Sequence, residues 1–76
     1  MPYVQVKVIE GVFGAEEKAQ MVRAVTDAMV SVEGEAMRGV TWVTIEEVAS
    51  GSWGIGGTPL TTADITSMRT PAPAPV

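Results

Sequence analysis

The chemistry on offer in this sequence starts with Pro2, which follows Met1 directly and opens a run of alternating residues. Methionine aminopeptidases remove Met when the next side chain is small, proline included, and the product would carry a secondary amine at the chain start. Such an amine is both base and nucleophile, and an apolar pocket would disfavour its ammonium form and draw its pKa toward neutrality. It could then move protons without an imidazole. The chain has no His and no Cys, which excludes serine-protease triads, Cys/His pairs, disulfides and conventional zinc sites. Any base must be a carboxylate, a lysine, a tyrosine or the terminus itself. The purely structural alternative is a proline tolerated as the first residue of an edge strand.

Other clusters offer less. The run Gly54-Ile55-Gly56-Gly57 hints at a phosphate loop, but no Gly-Lys-Ser/Thr follows and no helix-opening pattern is present, so it fits neither the Walker nor the dinucleotide spacing. Glu46 and Glu47 are adjacent in an extended segment, point to opposite faces and read as solvated strand-end charges rather than a paired acid and base. Five Lys/Arg against nine Asp/Glu give a net charge of −4, which lends phosphate-backbone binding little support. Lys7 and Glu10 break the N-terminal apolar stretch, leaving no signal-peptide core, and no run approaches the roughly 18 apolar residues of a membrane span. The expectation is a soluble, cytoplasmic protein with a small-molecule partner, no nucleic acid, no membrane and no cofactor.

The elements that must position Pro2 are legible in outline. Val4, Val6 and Val8 alternate with Tyr3, Gln5 and Lys7, the pattern of a half-buried strand over Pro2 to Ile9. Gly11 and Gly14 punctuate a loop, and a helix is expected from about Ala15, with Glu17 near its positive end and Gly34 as its stop. Met21, Val22, Val25, Ala28, Met29 and Val32 form its apolar arc, Glu16, Arg23, Asp27 and Ser31 lie opposite, and the Lys18 stem covers the start of the stripe while its ammonium reaches water. A turn over Glu35 to Gly39 leads to a β-branched strand over Val40 to Val48, with Thr41, Val43 and Ile45 facing one way and Val40, Trp42 and Thr44 the other. About 30 residues containing a helix separate the two strands, the length of a right-handed βαβ crossover between parallel strands.

At 76 residues only one small domain is possible, and 46% hydrophobic side chains favour a folded one. Residues 1–68 are read as that domain, of class α/β (α+β in some schemes): a βαβ unit followed by a short hairpin in the glycine-rich stretch. Residues 69–76, Arg-Thr-Pro-Ala-Pro-Ala-Pro-Val, are read as an extended tail. Two strands and one helix cover one sheet face only, so the other face calls for a second subunit.

From Pro2 to Gly57 the chain resembles the 4-oxalocrotonate tautomerase family. Pro2 with its β-branched strand, Glu10-Gly11 at the strand end, Glu17-Lys18 at the helix start, the second strand and Gly51-Ser52-Trp53-Gly54-Ile55-Gly56-Gly57 follow in the family's order. The resemblance implies dimers with a four-stranded sheet assembled into a hexamer, a homo-hexamer or, as in some relatives, a hetero-hexamer whose other chain supplies missing residues. It also implies Pro2 as the catalytic amine in an isomerase that moves a proton within an enol or dienol acid. Trp53 stands where the family has a pocket phenylalanine, an aromatic wall that helps keep the amine neutral.

Two positions depart from the family pattern. Val12 stands where a carboxylate-binding arginine follows the Glu-Gly pair, and Trp42 stands at the second family arginine when the strand is aligned without gaps from Gly51. A bidentate guanidinium has no apolar substitute, so these changes point to a less polar substrate than a dicarboxylate. Arg38, just before the second strand, and Tyr3, next to the amine, are the remaining candidates to bind a substrate carboxylate or carbonyl. The alternatives are a proline-assisted hydratase or dehalogenase of the same superfamily, and a non-catalytic oligomer subunit without the family arginines.

Overall fold

A computed structural model describes residues 1–69. In chain order they form β1 (Tyr3–Ile9), α1 (Ala15–Glu33), a 3-10 helix (Glu35–Val40), β2 (Trp42–Val48), β3 (Trp53–Ile55), β4 (Thr58–Leu60) and α2 (Thr62–Arg69). β1 and β2 pair in parallel from Tyr3↔Trp42 through Ile9↔Val48, so the chain is the expected βαβ unit. Val4, Val6 and Val8 face the same side as their register partners Val43, Ile45 and Glu47, and α1 packs there against β2. The opposite face carries Tyr3, Gln5 and Lys7 beside Trp42, Thr44 and Glu46. Cross-strand contacts tie it together: diagonally, the Tyr3 hydroxyl to Thr44 Oγ1 at 2.9 Å and the Gln5 amide to Glu46, and directly across, the Lys7 ammonium to Glu46 at 3.9 Å.

α1 starts and stops where the local chemistry directs. Glu17 Oε1 accepts a hydrogen bond from the Gly14 N–H at 3.3 Å, and Glu16 and Glu17 put negative charge on the helix's positive end. Gly34 ends it at φ 101°, a conformation that strains any side chain, with its N–H donating to the Val30 carbonyl at 2.9 Å. The buried stripe differs from the expected arc. Val30 is the most buried residue of the helix, whereas Ala28 is exposed and Val32 is 88% exposed. Lys18, Met21, Val22, Val25, Thr26, Met29 and Glu33 complete the half-buried side, a rotation of roughly 60° at 100° per residue. Polar side chains share this side: Lys18 reaches Glu47 and Glu33 accepts from Thr41, while the Thr26 hydroxyl donates to the helix's own Val22 carbonyl at 2.7 Å.

The segment read as a simple turn over Glu35 to Gly39 is a 3-10 helix that runs on through Val40, and β2 accordingly begins at Trp42 rather than Val40. Thr41 caps it, its hydroxyl donating to the Met37 carbonyl at 2.8 Å. The glycine-rich stretch is the expected hairpin. β3 and β4 pair antiparallel around Gly56 and Gly57, both at positive φ (58° and 85°), the requirement of a tight two-residue turn.

α2 corrects the sequence reading, which placed no helix after the hairpin and began the tail at residue 69. Arg69 is the last residue of this helix; residues 70–76 of the expected tail lie outside the described residues. Its start is a reciprocal cap: the Thr61 N–H donates to Asp64 Oδ2 at 2.9 Å and the Asp64 N–H to Thr61 Oγ1 at 3.2 Å. Within one chain the packing is thin. Among the described residues only Ile9 and Val30 are buried, while Tyr3 and Trp42 are each 55% and Ile55 61% exposed.

Candidate functional site

The residues that carry chemistry collect at the two ends of the β1/β2 pair. At the N-terminal end Pro2 is half-buried, and its carbonyl accepts the Trp42 N–H at 3.0 Å, which locks the start of β1 onto β2. Tyr3 and Trp42 are register partners with ring centroids 6.4 Å apart and planes tilted by 35°. An aromatic pair therefore stands one residue from the proline nitrogen, with the Tyr3 hydroxyl engaged by Thr44. Met1 is 77% exposed, and while attached it makes the Pro2 nitrogen an amide.

Arg38 sits close in sequence to this end, but its guanidinium is already met. Nε and Nη2 donate to the two Glu35 carboxylate oxygens at 2.7 and 3.3 Å, and Nη1 donates to Asp27 at 2.8 Å. Glu35 and then Asp27 raise the Arg38 pKa further above its already high value, and Arg38 holds the Glu35 carboxyl below the usual range. The 3-10 turn creates the fork by placing Glu35 three residues before Arg38 on the same side. Arg38 thus braces the crossover to α1.

At the C-terminal end of the strands, Val8, Ile9, Phe13, Trp53, Ile55, Leu60 and Ile65 line an apolar pocket of about 300 Å³. The loop from Glu10 to Phe13 forms one rim and is anchored from several sides. The Glu10 N–H donates to the Val48 carbonyl at 2.8 Å, the Glu10 carboxylate accepts the Ser50 N–H at 3.0 Å, and the Thr62 hydroxyl donates to the Glu10 carbonyl at 2.5 Å. Gly11 has φ 80°, and a Cβ there would lie 3.0 Å from the Thr62 methyl, so both backbone and space demand glycine. Trp53 is thus one of the residues of this apolar lining, and Val12 is half-buried on the rim loop.

Two charged residues at this end were misjudged from sequence. Glu47, read as a solvated strand-end charge, accepts from the Lys18 ammonium and from the Gly11 N–H at 3.3 Å. Lys18, in turn, meets this carboxylate rather than water alone. The signal was available: Glu47 shares the parity of Val43 and Ile45, which puts it beneath the start of α1. The Lys18 ammonium, with lesser help from the Gly11 N–H, holds the Glu47 carboxyl below its ordinary 4.5. A carboxyl lowered by folding stabilises the fold above its unfolded pKa and ceases to do so as pH falls through the folded value. Glu47→Gln is expected to melt lower than the parent at about pH 6 and to lose less stability on further acidification below about pH 4.5. Parallel melting curves for the two proteins across that range would contradict the coupling.

Arg69, read from sequence as the first residue of an extended tail, instead reaches the Val12 loop and the start of α1. Nη1 donates to the Val12 carbonyl at 3.2 Å, Nη2 donates to Glu17 at 2.6 Å, and the guanidinium stacks 4.6 Å from the centroid of the Phe13 ring. The Arg69 side chain, with the Gly14 N–H second, lowers the Glu17 pKa.

The two ends are far apart. From Tyr3 to Ile9 a strand climbs about 20 Å at ~3.3 Å per residue, so one chain does not bring Pro2 to the pocket that Trp53 lines. Comparison with known proteins supplies the context. The family model described as Tautomerase enzyme matches residues 2–63, a match that opens on Pro2. The chain belongs to the 4-oxalocrotonate tautomerase family. A probable tautomerase K2 from Dickeya dadantii (strain 3937) is 36% identical over 61 residues, 80% of this chain and 90% of the relative. Among solved structures, a 4-oxalocrotonate tautomerase isozyme from Methylibium petroleiphilum superposes with a TM-score of 0.69 at 33% identity, covering 84% of this chain and 97% of that one. DmpI from Helicobacter pylori gives a TM-score of 0.69 at 31% identity over 78% of this chain and 95% of its own. As a tautomerase-family member the chain has the family's βαβ unit and hairpin.

Proposed function

We propose that this protein is a cofactor-independent keto–enol tautomerase, that its working base is the Pro2 amine exposed by loss of Met1, and that each site joins Pro2 of one copy to the Trp53 pocket of another. The family match starting at Pro2 carries the reading. The separation of Pro2 from Trp53 by the length of β1 supports the second half. Neither end is a complete site: one has a base without an apolar enclosure, the other an enclosure without a base. No helix among the described residues is long and apolar enough to cross a membrane. The proposed working form is a cytoplasmic homo-hexamer, with a hetero-hexamer as the alternative assembly. Association also provides what a single chain lacks, cover for the Tyr3, Trp42 and Ile55 side chains.

In this scheme the pocket excludes water and disfavours the ammonium, leaving the amine neutral and able to accept a proton. Pro2 takes the enol hydroxyl proton, the carbonyl forms, and the resulting ammonium returns a proton to the α-carbon, so the enzyme ends unchanged. The Tyr3–Trp42 pair beside the amine favours a flat apolar substituent on the substrate. The test is ketonisation of phenylenolpyruvate followed by loss of enol absorbance, run beside halide release from 3-chloroacrylate. Enol loss well above the buffer rate without halide is expected. Halide release without ketonisation would transfer the protein to the proline-assisted hydratases, and neither reaction would leave a binding subunit.

A further inference from the structure

We infer that Arg69 is the substrate-carboxylate binder of this protein, delivered by α2 to the loop where Val12 stands in place of the family arginine. The inference rests on the proposed reading of the Trp53 pocket as the substrate site. Three observations place the guanidinium there. It donates to the backbone carbonyl of Val12 itself, at 3.2 Å. It stacks 4.6 Å from the centre of Phe13, whose ring lines the pocket. It is carried by a helix fastened to the same loop, since the Thr62 hydroxyl at the start of α2 donates to the Glu10 carbonyl at 2.5 Å.

A guanidinium has five N–H donors, and the contacts to Val12 and Glu17 take one from each terminal nitrogen, so they do not exhaust it. The ring beneath Arg69 fixes the plane of the fork, which suits two-point recognition of a carboxylate. Glu17 is the present partner, and its side chain is 43% exposed. A half-exposed ion pair is weak, so exchanging Glu17 for a substrate carboxylate loses little. The substrate class that follows is an enol or carbonyl compound with one carboxylate and an apolar body, the carboxylate on Arg69 and the body between Trp53, Ile55 and Leu60.

Calorimetric titration of the whole protein with cinnamate and with its neutral isostere cinnamamide tests this without requiring turnover. The parent should prefer cinnamate. Arg69→Ala should weaken cinnamate about tenfold or more, the scale of a lost charge-assisted bond, and leave cinnamamide unchanged. Arg69→Lys should fall between, because an ammonium supplies charge without a fork. Val12→Arg placed on Arg69→Ala should restore the preference from the same loop, which a merely structural clamp would not do. Equal binding of the two probes by the parent, loss of both together in Arg69→Ala, or no rescue by Val12→Arg would overturn the assignment. Because binding of cinnamate needs no proton transfer, an inactive Pro2 and a non-binding Arg69 give separate results.

Discussion

Acetylating the Pro2 nitrogen of the Met1-free protein is expected to lower kcat/KM for phenylenolpyruvate by about a thousandfold, within the usual range for loss of a general acid–base group. The acetyl group turns the amine into an amide with no basic lone pair and leaves the rest of the chain as it was. Pro2 fastens to β2 through its carbonyl, which accepts from the Trp42 N–H, so capping the nitrogen need not loosen the strand. Retention of Met1 should act the same way, since it makes the same kind of bond. The comparison is made at matched circular dichroism and matched oligomer size. An acetylated enzyme that keeps its full rate would show that another group moves the proton, and Glu35 and Glu47 are poor replacements, since Arg38 and Lys18 lower their pKa and so weaken them as bases.

Refolding an equal mixture of acetylated protein and Trp53→Glu protein is expected to recover activity that neither parent shows. If each site takes its base from one copy and its apolar wall from another, random assembly leaves about a quarter of the sites with both intact partners. The separation of Pro2 from the pocket by some 20 Å of strand is the ground for expecting this outcome. A site built within one chain would leave every chain in the mixture defective and the mixture as inactive as its parents. The thin packing of the single chain, with Ile9 and Val30 alone buried among the described residues, also means that activity and fold should fall together on dilution.

What the sequence disclosed follows from the range of each interaction. Val4, Val6 and Val8, the glycine at 34 and the Gly56-Gly57 turn are local signals, readable over a few residues, and each appears in the structure where its period or conformation demands. Thr61-Thr62-Ala63-Asp64 was an equally local signal for α2 and was passed over because the helix is eight residues long and has only Ile65 and Met68 as large apolar residues. Arg38 looked like an available cation because its partners depend on a 3-10 turn that periodicity does not mark. Arg69 was beyond reach: its contacts span 57 residues to Val12 and 52 to Glu17, and no spacing rule joins residues so distant. Trp53 and Pro2 are both legible as candidates through their neighbours in sequence, and the parallel pairing of the two strands already sets them at opposite ends, but no local signal tells whether such halves meet across two copies.

The most direct test of the central claim is the titration of the Pro2 nitrogen itself, followed by the 15N signal of proline-labelled, Met1-free protein. The nitrogen should be predominantly uncharged at about pH 7, below the ordinary range for a chain terminus, and Trp53→Ala should move it back toward that range. A Pro2 nitrogen still protonated above about pH 8, unmoved by the loss of Trp53, would contradict the account.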